Sequence, residues 1–378
     1  MKIITYYLPQ FHEISENNEW WGKGFTEWVN VKKAKPLFEG HVQPRIPLNN
    51  NYYDLSEYET LKWQIGLAKK YHIWGFCFYH YWFGSKLLLQ KPMEMLLEHK
   101  ELDFPFCISW ANENWTNQWV SKDPQILVEQ EYGDQTEWKR HFEYLLPFFK
   151  DSRYIKHDNK PVVVIYKPGN FPAINDMIEY WENLAKDAGF SGICFMSQVS
   201  YQMDRSPSSY KKMSYLLAYE PSAEFVRRTE SKSTAIKELK AGIKKIAGKL
   251  GIELEGKKLG GLTKFDYREI CECITSREPQ DDREVPGFFK NWDNTPRKGI
   301  KGTVLTNVSS DIFKEYLQKQ VQRNKEIYHK DFMFFFAWNE WAEGGFLEPD
   351  EADGYQYLEA IDEVLKELDE IPERDYCL

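Results

Sequence analysis

Short apolar runs recur along the chain, most of them separated by stretches of helical periodicity. The runs cover Ile3–Leu8, Ile73–Tyr79, Phe106–Trp110, Val162–Tyr166, Ile193–Ser197, Tyr215–Tyr219, Val285–Phe289 and Phe332–Trp338, the seventh being the weakest. Amphipathic helices are expected at about Leu55–Tyr71, Pro92–Lys100, Thr136–Phe149, Ala173–Ala188, Ser233–Leu250, Lys264–Thr275, Ser310–Tyr328 and Gly354–Leu368. Runs that stay apolar without alternation read as strands buried on both faces, as in parallel sheets. Eight such runs alternating with helices predict an α/β fold, a single (β/α)8 TIM barrel. A doubly wound open sheet is the alternative, but no G-x-G-x-x-G follows an early strand. With no repeat or linker in view, residues 1–378 read as one domain with a basic helical insertion around 221–284.

The connections are unequal. About 46 residues separate the first run from its helix, and about 65 lie between runs six and seven. Long βα connections belong at the carboxyl-end face of a barrel, where sites are built. Residues just beyond each strand therefore converge on one mouth. The first run leads to Gln10 and His12, the second ends at His80 and Tyr81, and the third is followed by Trp110, Asn112, Glu113 and Trp115. Lys167, Gln198 and Glu220 close the next three, Trp292 and Asp293 follow the seventh, and the last opens into Trp338, Asn339, Glu340, Trp341 and Glu343. Acids, amides and aromatics dominate this set, as a sugar site requires.

Composition sharpens that picture. The 378 residues carry a formal charge of −9 and are 16% aromatic, with 14 Trp and 23 Tyr. Rings with polar tips suit sugar faces, although a large aromatic core is the blander explanation. The acidic balance argues against nucleic acid as a partner. No run approaches the roughly 18 apolar residues of a membrane span. The start, MKIITYYLPQ, is broken at Pro9 before an apolar stretch of signal length develops. The six cysteines show no C-x-x-C spacing, so a reduced, cytoplasmic setting is expected. The eight histidines form no zinc pattern, and no metal or cofactor is expected. Lys237, Lys240, Lys244, Lys245 and Lys249 fall at near-helical spacing. They read as a solvated face or, more sharply, as a patch for phosphate, sugar diphosphate or an anionic membrane surface.

Glycosidic bonds are cleaved by two carboxyl groups working on an oxocarbenium-like transition state. Glu340 and Glu343 stand three apart beyond an aromatic strand and before Gly344–Gly345, where an apolar setting raises a carboxyl pKa. Of the others, Glu113 fits a sugar-hydroxyl acceptor and Lys167 an anion contact or a carboxylate partner. Glu220 fits the same acceptor role, although Pro221 beside it allows a turn-stabilising one, and His80 is explained equally well by sugar binding and by a satisfied structural histidine. Asp281–Asp282 superficially resembles the acidic pair with which nucleotide-sugar transferases hold a metal, in an otherwise polar stretch.

The stretch Trp338-Asn339-Glu340-Trp341-Ala342-Glu343-Gly344, followed by Glu348-Pro349, resembles the signature of glycoside hydrolase family 99-like proteins. It is most similar to their WbsX-type branch, described as lipopolysaccharide or O-antigen biosynthesis glycosyltransferases. Three further stretches resemble that branch: Tyr6-Tyr7-Leu8-Pro9-Gln10-Phe11-His12, Gly24-Phe25-Thr26-Glu27-Trp28 and Trp110-Ala111-Asn112-Glu113-Asn114-Trp115. Tyr7, Glu27 and Trp28 thereby join the sugar-binding candidates. The resemblance implies a (β/α)8 barrel and retaining, endo-acting chemistry on α-mannosides, assisted by the substrate. One glutamate deprotonates the sugar's own 2-hydroxyl, which attacks the anomeric carbon; the second is general acid and then base. By position, Glu340 is the first and Glu343 the second. The hydrolases have a histidine where this chain has Ala342.

Three readings follow: a glycosidase or transglycosidase acting on an oligosaccharide or polysaccharide, a glycosyltransferase with a nucleotide- or lipid-linked donor, and a glycan-binding barrel without turnover. The paired carboxylates and the lack of a phosphate loop favour the first.

Overall fold

The computed structural model describes residues 1–84, 86–117, 125–199, 208–229, 261–373 and 375–378. Nine strand segments form one curled parallel sheet: β1 (Lys2–Tyr7), β2 (Gly75–Phe83), β3 (Phe106–Trp110), β4 (Lys160–Ile165), β5 (Cys194–Val199), β6 (Tyr215–Ala218), β7 (Glu284–Val285), β8 (Phe288–Phe289) and β9 (Phe332–Phe336). Their order across the sheet is β7-β6-β5-β4-β3-β2-β1-β9-β8. All eight expected runs thus contribute. Helices Tyr58–Lys70, Lys91–Glu98, Gln135–Phe149, Ile174–Asp187, Tyr267–Thr275, Ser310–Glu326 and Gln356–Glu367 follow the expected segments within a few residues. The basic run from Lys237 to Lys249 lies outside the described residues.

Two expectations change. The seventh run is not one strand: β7 pairs with β6, β8 pairs with β9, and Pro286–Gly287 lies between them. Proline cannot donate to a ladder, so the run breaks there. Gly287 is wedged between neighbours, since a Cβ at that position would lie 2.2 Å from the Ala218 carbonyl oxygen and 3.3 Å from that of Phe334. The expected helix Lys264–Thr275 also begins as a strand: Thr263–Asp266 pairs in parallel with Thr303–Thr306, and the helix starts only at Tyr267. Among the described residues no helix is long and apolar enough to cross a membrane.

The sheet interior is filled with rings. Tyr6 packs on Tyr79, Tyr219 and Phe334 at centroid distances of 5.7, 5.4 and 5.6 Å, and the hydroxyls of Tyr79 and Tyr219 meet at 2.9 Å. This plug is the floor of the mouth. The last strand's exit is fastened to the first by Asn339, whose side chain accepts from Leu8 N at 2.7 Å and donates to Leu8 O at 2.9 Å.

A methyl at position 287 has no room, because backbone and not a flexible side chain faces it. Gly287→Ala is expected to lower the unfolding free energy by about 2–3 kcal/mol in urea titrations. Gly66→Ala, inside helix Tyr58–Lys70 with no atom within 4 Å of a new Cβ, is expected to raise it by about 0.5–1 kcal/mol. Equal effects at the two sites would contradict the close approach.

Candidate active site

At the carboxyl end of the sheet lies a cleft of about 1230 Å³. Its centre is a cationic hub that sequence reasoning missed. Arg297, on the turn Thr295–Lys298, donates from Nη1 to Glu343 Oε1 at 2.6 Å and from Nη2 to Glu340 Oε2 at 3.3 Å. Its Nε and Nη2 each lie 3.2 Å from Glu27 Oε2. One guanidinium therefore joins the first loop to both carboxyls beyond the last strand.

Glu340 is buried. Burial drives its pKa up to about 8; Arg297 opposes the rise, while the charges of Glu343 and Glu27 reinforce it. Its protonated form is thereby favoured well above the ordinary carboxylate range. The Arg297 turn is itself anchored. Asp293 accepts from His41 Nε2 at 2.8 Å, Gln43 Nε2 at 2.6 Å, and the backbone N and Oγ1 of Thr295 at 3.0 and 2.6 Å. Burial pushes the Asp293 carboxyl up, but these bonds outweigh it and hold the pKa below the ordinary value. His41 Nδ1 accepts from Leu37 N at 3.1 Å, so its proton is on Nε2 and it orients Asp293 as a donor. The Asp293 backbone N–H also donates to Glu343 O at 2.7 Å, tying the Arg297 turn to the Glu343 turn. Gly344, at φ +71°, closes that turn in the left-handed region, and a Cβ there would lie 2.8 Å from Asp293 N.

Of the expected site residues, Gln10, Glu27, Tyr81, Glu113, Trp115, Lys167, Trp292, Glu340 and Glu343 line the cleft. Glu113 accepts from Lys167 Nζ at 2.5 Å, the carboxylate pairing foreseen for that lysine. The remaining candidates turn away, each for a physical reason. Strand β2 runs on to Phe83, and side chains alternate along it. Tyr79 and Tyr81 consequently face the cleft, while His80 points at the helices and meets His141 Nε2 at 2.9 Å. Burial lowers the His80 pKa to about 3, so it stays neutral. Trp110 also faces outward and donates to Trp82 O at 3.0 Å. Asn112 clamps the neighbouring loop, donating to Lys167 O and accepting from Lys167 N at 2.8 and 2.7 Å.

A second buried carboxyl accounts for three more. Glu348 accepts from Tyr53 Oη, Gln64 Nε2 and Trp341 Nε1, each at 2.7 Å, and Tyr7 donates to Gln64 Oε1 at 2.6 Å. Burial raises Glu348 to about 7 despite these bonds. Trp28 donates to Tyr53 O at 2.8 Å and packs on Trp341 behind the cleft. Tyr7, Trp28 and Trp341 thus support the wall. Trp338 and Asn339 are fully buried, Asn339 as the clasp to Leu8. His12 and Gln198 are buried outside the lining. Glu220 is paired with Arg277, and Asp293 acts through the Arg297 turn. Asp281, half of the acidic pair, accepts from the Arg283 side chain at 2.9 and 2.6 Å outside the cleft lining. Among the described residues no cluster of three or more His, Cys, Asp or Glu could hold a metal ion.

The lining residues that were missed include Trp20 and Tyr132 besides Arg297, while Tyr79, Tyr166 and Tyr219, at the ends of their runs, line the cleft as well. Trp20 packs edge-on to Trp115 at 5.8 Å, and Tyr81 also meets Trp115 edge-on at 5.0 Å, forming an aromatic rim.

The curled parallel sheet is similar in fold to solved GH99 structures. The fold matches the GH99 endo-alpha-mannosidase from Bacteroides thetaiotaomicron in complex with BIS-TRIS-propane at a TM-score of 0.55, with 12% identity and 98% of each chain covered. A further structure, titled "Glycoside hydrolase-like protein", matches at 0.53 and 11% identity over 96% of this chain and 93% of that one. By sequence the chain belongs to the family described as Glycosyltransferase WbsX, whose model matches residues 3–361. The uncharacterized protein WxcX of Xanthomonas campestris pv. campestris strain B100 is 30% identical over 366 residues, 96% of this chain and 49% of that protein. Its counterpart in strain ATCC 33913 is 31% identical over 368 residues, again 96% and 49%. The chain thus spans about half the length of these relatives.

Glu340 holds its proton in the folded state up to about pH 8, whereas the unfolded chain loses it near 4.5. Between those values the native state binds more protons, so stability falls as pH rises. Glu340→Gln is expected to gain more melting temperature at pH 8 than at pH 5 relative to wild type. A pH-independent difference would contradict the buried, protonated carboxyl.

Proposed function

We propose that this chain is a glycan-active enzyme of surface-polysaccharide metabolism that works at a glycosidic bond through Glu340 and Glu343. In this reading the sheet acts as a (β/α)8 barrel closed across the split seventh run. The observation that supports it most is the placement of both carboxyls on one guanidinium at the centre of an aromatic-rimmed cleft. The cleft exceeds the roughly 300–1,000 Å³ of ordinary small-ligand pockets, which suits an oligosaccharide bound along its length. Trp115 and Trp292 offer faces for sugar rings, and Glu113 with Lys167 offers a charged edge for hydroxyls.

The roles follow the resemblance. Glu340 removes the proton of the sugar 2-hydroxyl, and Glu343 protonates the leaving oxygen and later activates the acceptor. A carboxyl whose pKa is lifted toward the working pH is a stronger base once ionised than an ordinary one. The burial that raises the Glu340 pKa therefore suits it to this step. The family name supports a second reading, transfer from an activated donor sugar.

Calorimetric titration of Glu343→Gln with an oligosaccharide panel and a sugar-nucleotide panel separates the readings. Saturable oligosaccharide binding, weakened at least tenfold by Trp115→Ala, is the expected result; binding to sugar nucleotides alone would establish the transferase. For a glycan that is turned over, kcat/KM is expected to fall as pH rises past about 8, where the carboxyl pair gives up the proton its general acid must donate, with Glu340→Gln inactive. A profile that keeps rising beyond pH 8 would contradict an acid–base pair of these two glutamates.

A further inference from the structure

The proposed chemistry asks two things of the pair at once: Glu340 must give up a proton before it can act as base, and Glu343 must hold one before it can act as acid. Burial instead favours the protonated form of Glu340, while Glu343 takes the short bond from Arg297 at 2.6 Å. Arg297 touches both carboxyls with different nitrogens of one rigid fork, Nη1 on Glu343 and Nη2 on Glu340. Its own freedom is limited by Glu27 on the far side and by the Asp293-capped turn beneath it. We infer that Arg297 is a positioning residue that lets Glu340 and Glu343 share one proton, serving as counter-ion to whichever of the two is charged. This inference rests on the two-carboxylate reading above.

The balance closes without a further reactant. Glu340 releases its proton to water in the cleft, and Glu343 takes one from the same water. The pair carries one proton and one negative charge before and after. Arg297 and Glu27 keep their charges throughout, so no new charge is buried when the roles change. Moving the guanidinium's main contact from Glu343 to Glu340 requires only that the 3.3 Å bond shorten as the 2.6 Å bond lengthens. This also gives the Gly24-Phe25-Thr26-Glu27-Trp28 motif a role: Glu27 balances the cation from the first loop, so Arg297 need not be neutralised by the pair alone.

The test needs no substrate. Carbon-13 NMR of the full chain labelled at glutamate carboxyls follows each titration, and the resonance lost in Glu340→Gln identifies that group. In Glu343→Gln, which removes a neighbouring charge, the Glu340 midpoint is expected to fall. In Arg297→Met it is expected to rise by about one pH unit or more. Arg297→Lys, which keeps the charge but not the fork, should lie between wild type and Met. If Arg297→Met does not fold, Glu343→Gln and Arg297→Lys still decide. A Glu340 midpoint that ignores Glu343→Gln, or is the same in Arg297→Lys and wild type, overturns the shared proton. Because the readout is a titration, this inference can fail while oligosaccharide binding persists, and binding can fail while the titration behaves as stated.

Discussion

Arg297 is the interaction on which the mouth of this protein depends. Three carboxyl groups brought together in a largely buried place ionise only against mutual repulsion and lost hydration, and a cation at hydrogen-bonding distance offsets part of that cost. They come from two segments far apart in sequence, position 27 and positions 340 and 343, so their bonds to Arg297 also fix how the first loop sits against the last. Much of the surrounding polar structure serves that hub. Asp293 caps the turn that bears it, His41 and Gln43 hold Asp293, and the Asp293 backbone N–H reaches back to Glu343. Even the sheet contributes, since Asn339 fastens the Glu340 segment to β1.

The sequence made the strands legible because parallel strands buried on both faces leave continuous apolar runs, and a run such as Phe332–Phe336 has few other uses. It left the split seventh run obscure because two paired residues on each side of Pro286–Gly287 give no periodicity to read. The carboxyl pair was legible from spacing and aromatic context. Arg297 was not, since a single arginine in a Thr-Pro-Arg-Lys turn has no pattern of its own. Its signal was indirect: a cluster of buried acids requires a cation, and the turn beyond the seventh run is where the barrel reading places one. His80 was misplaced by ending β2 too early. Once the strand reaches Phe83, alternation assigns Tyr79 and Tyr81 to the cleft and His80 to the helices without further information.

The aromatic excess has two sources, and only one concerns ligand. Trp28, Trp110, Trp338 and Trp341 belong to the wall and core, with indole N–H groups of Trp28, Trp110 and Trp341 bonded internally. Trp20, Trp115 and Trp292, with Tyr81 and Tyr132, face the cleft. Composition counts both groups alike; strand register and hydrogen bonding separate them. The core group matters to the site all the same. Trp341 lies between Glu340 and Glu343 in sequence, and its bond to Glu348 sets the turn from which both carboxyls project.

This division bears on the choice between hydrolysis and transfer. In the proposed reading the hub of Arg297 with Glu27, Glu340 and Glu343 acts on the anomeric centre and on a proton, and is indifferent to whether the second substrate is water or a sugar. That choice belongs to whatever excludes water and holds an acceptor, because only interactions made with the acceptor itself favour it in the transition state. In the proposed reading those interactions come from the walls. Trp20 and Phe25 arrive on the first loop, Trp115 and Tyr132 on the third, and Trp292 beyond the seventh run. The loop that supplies Trp20 and Phe25 also supplies Glu27, so one segment carries both a wall of the cleft and the charge balance of the carboxyl pair. In the proposed reading a change in that loop alters glycan selection and proton placement together, whereas a change at Trp115 alters glycan binding without touching the carboxyl pair.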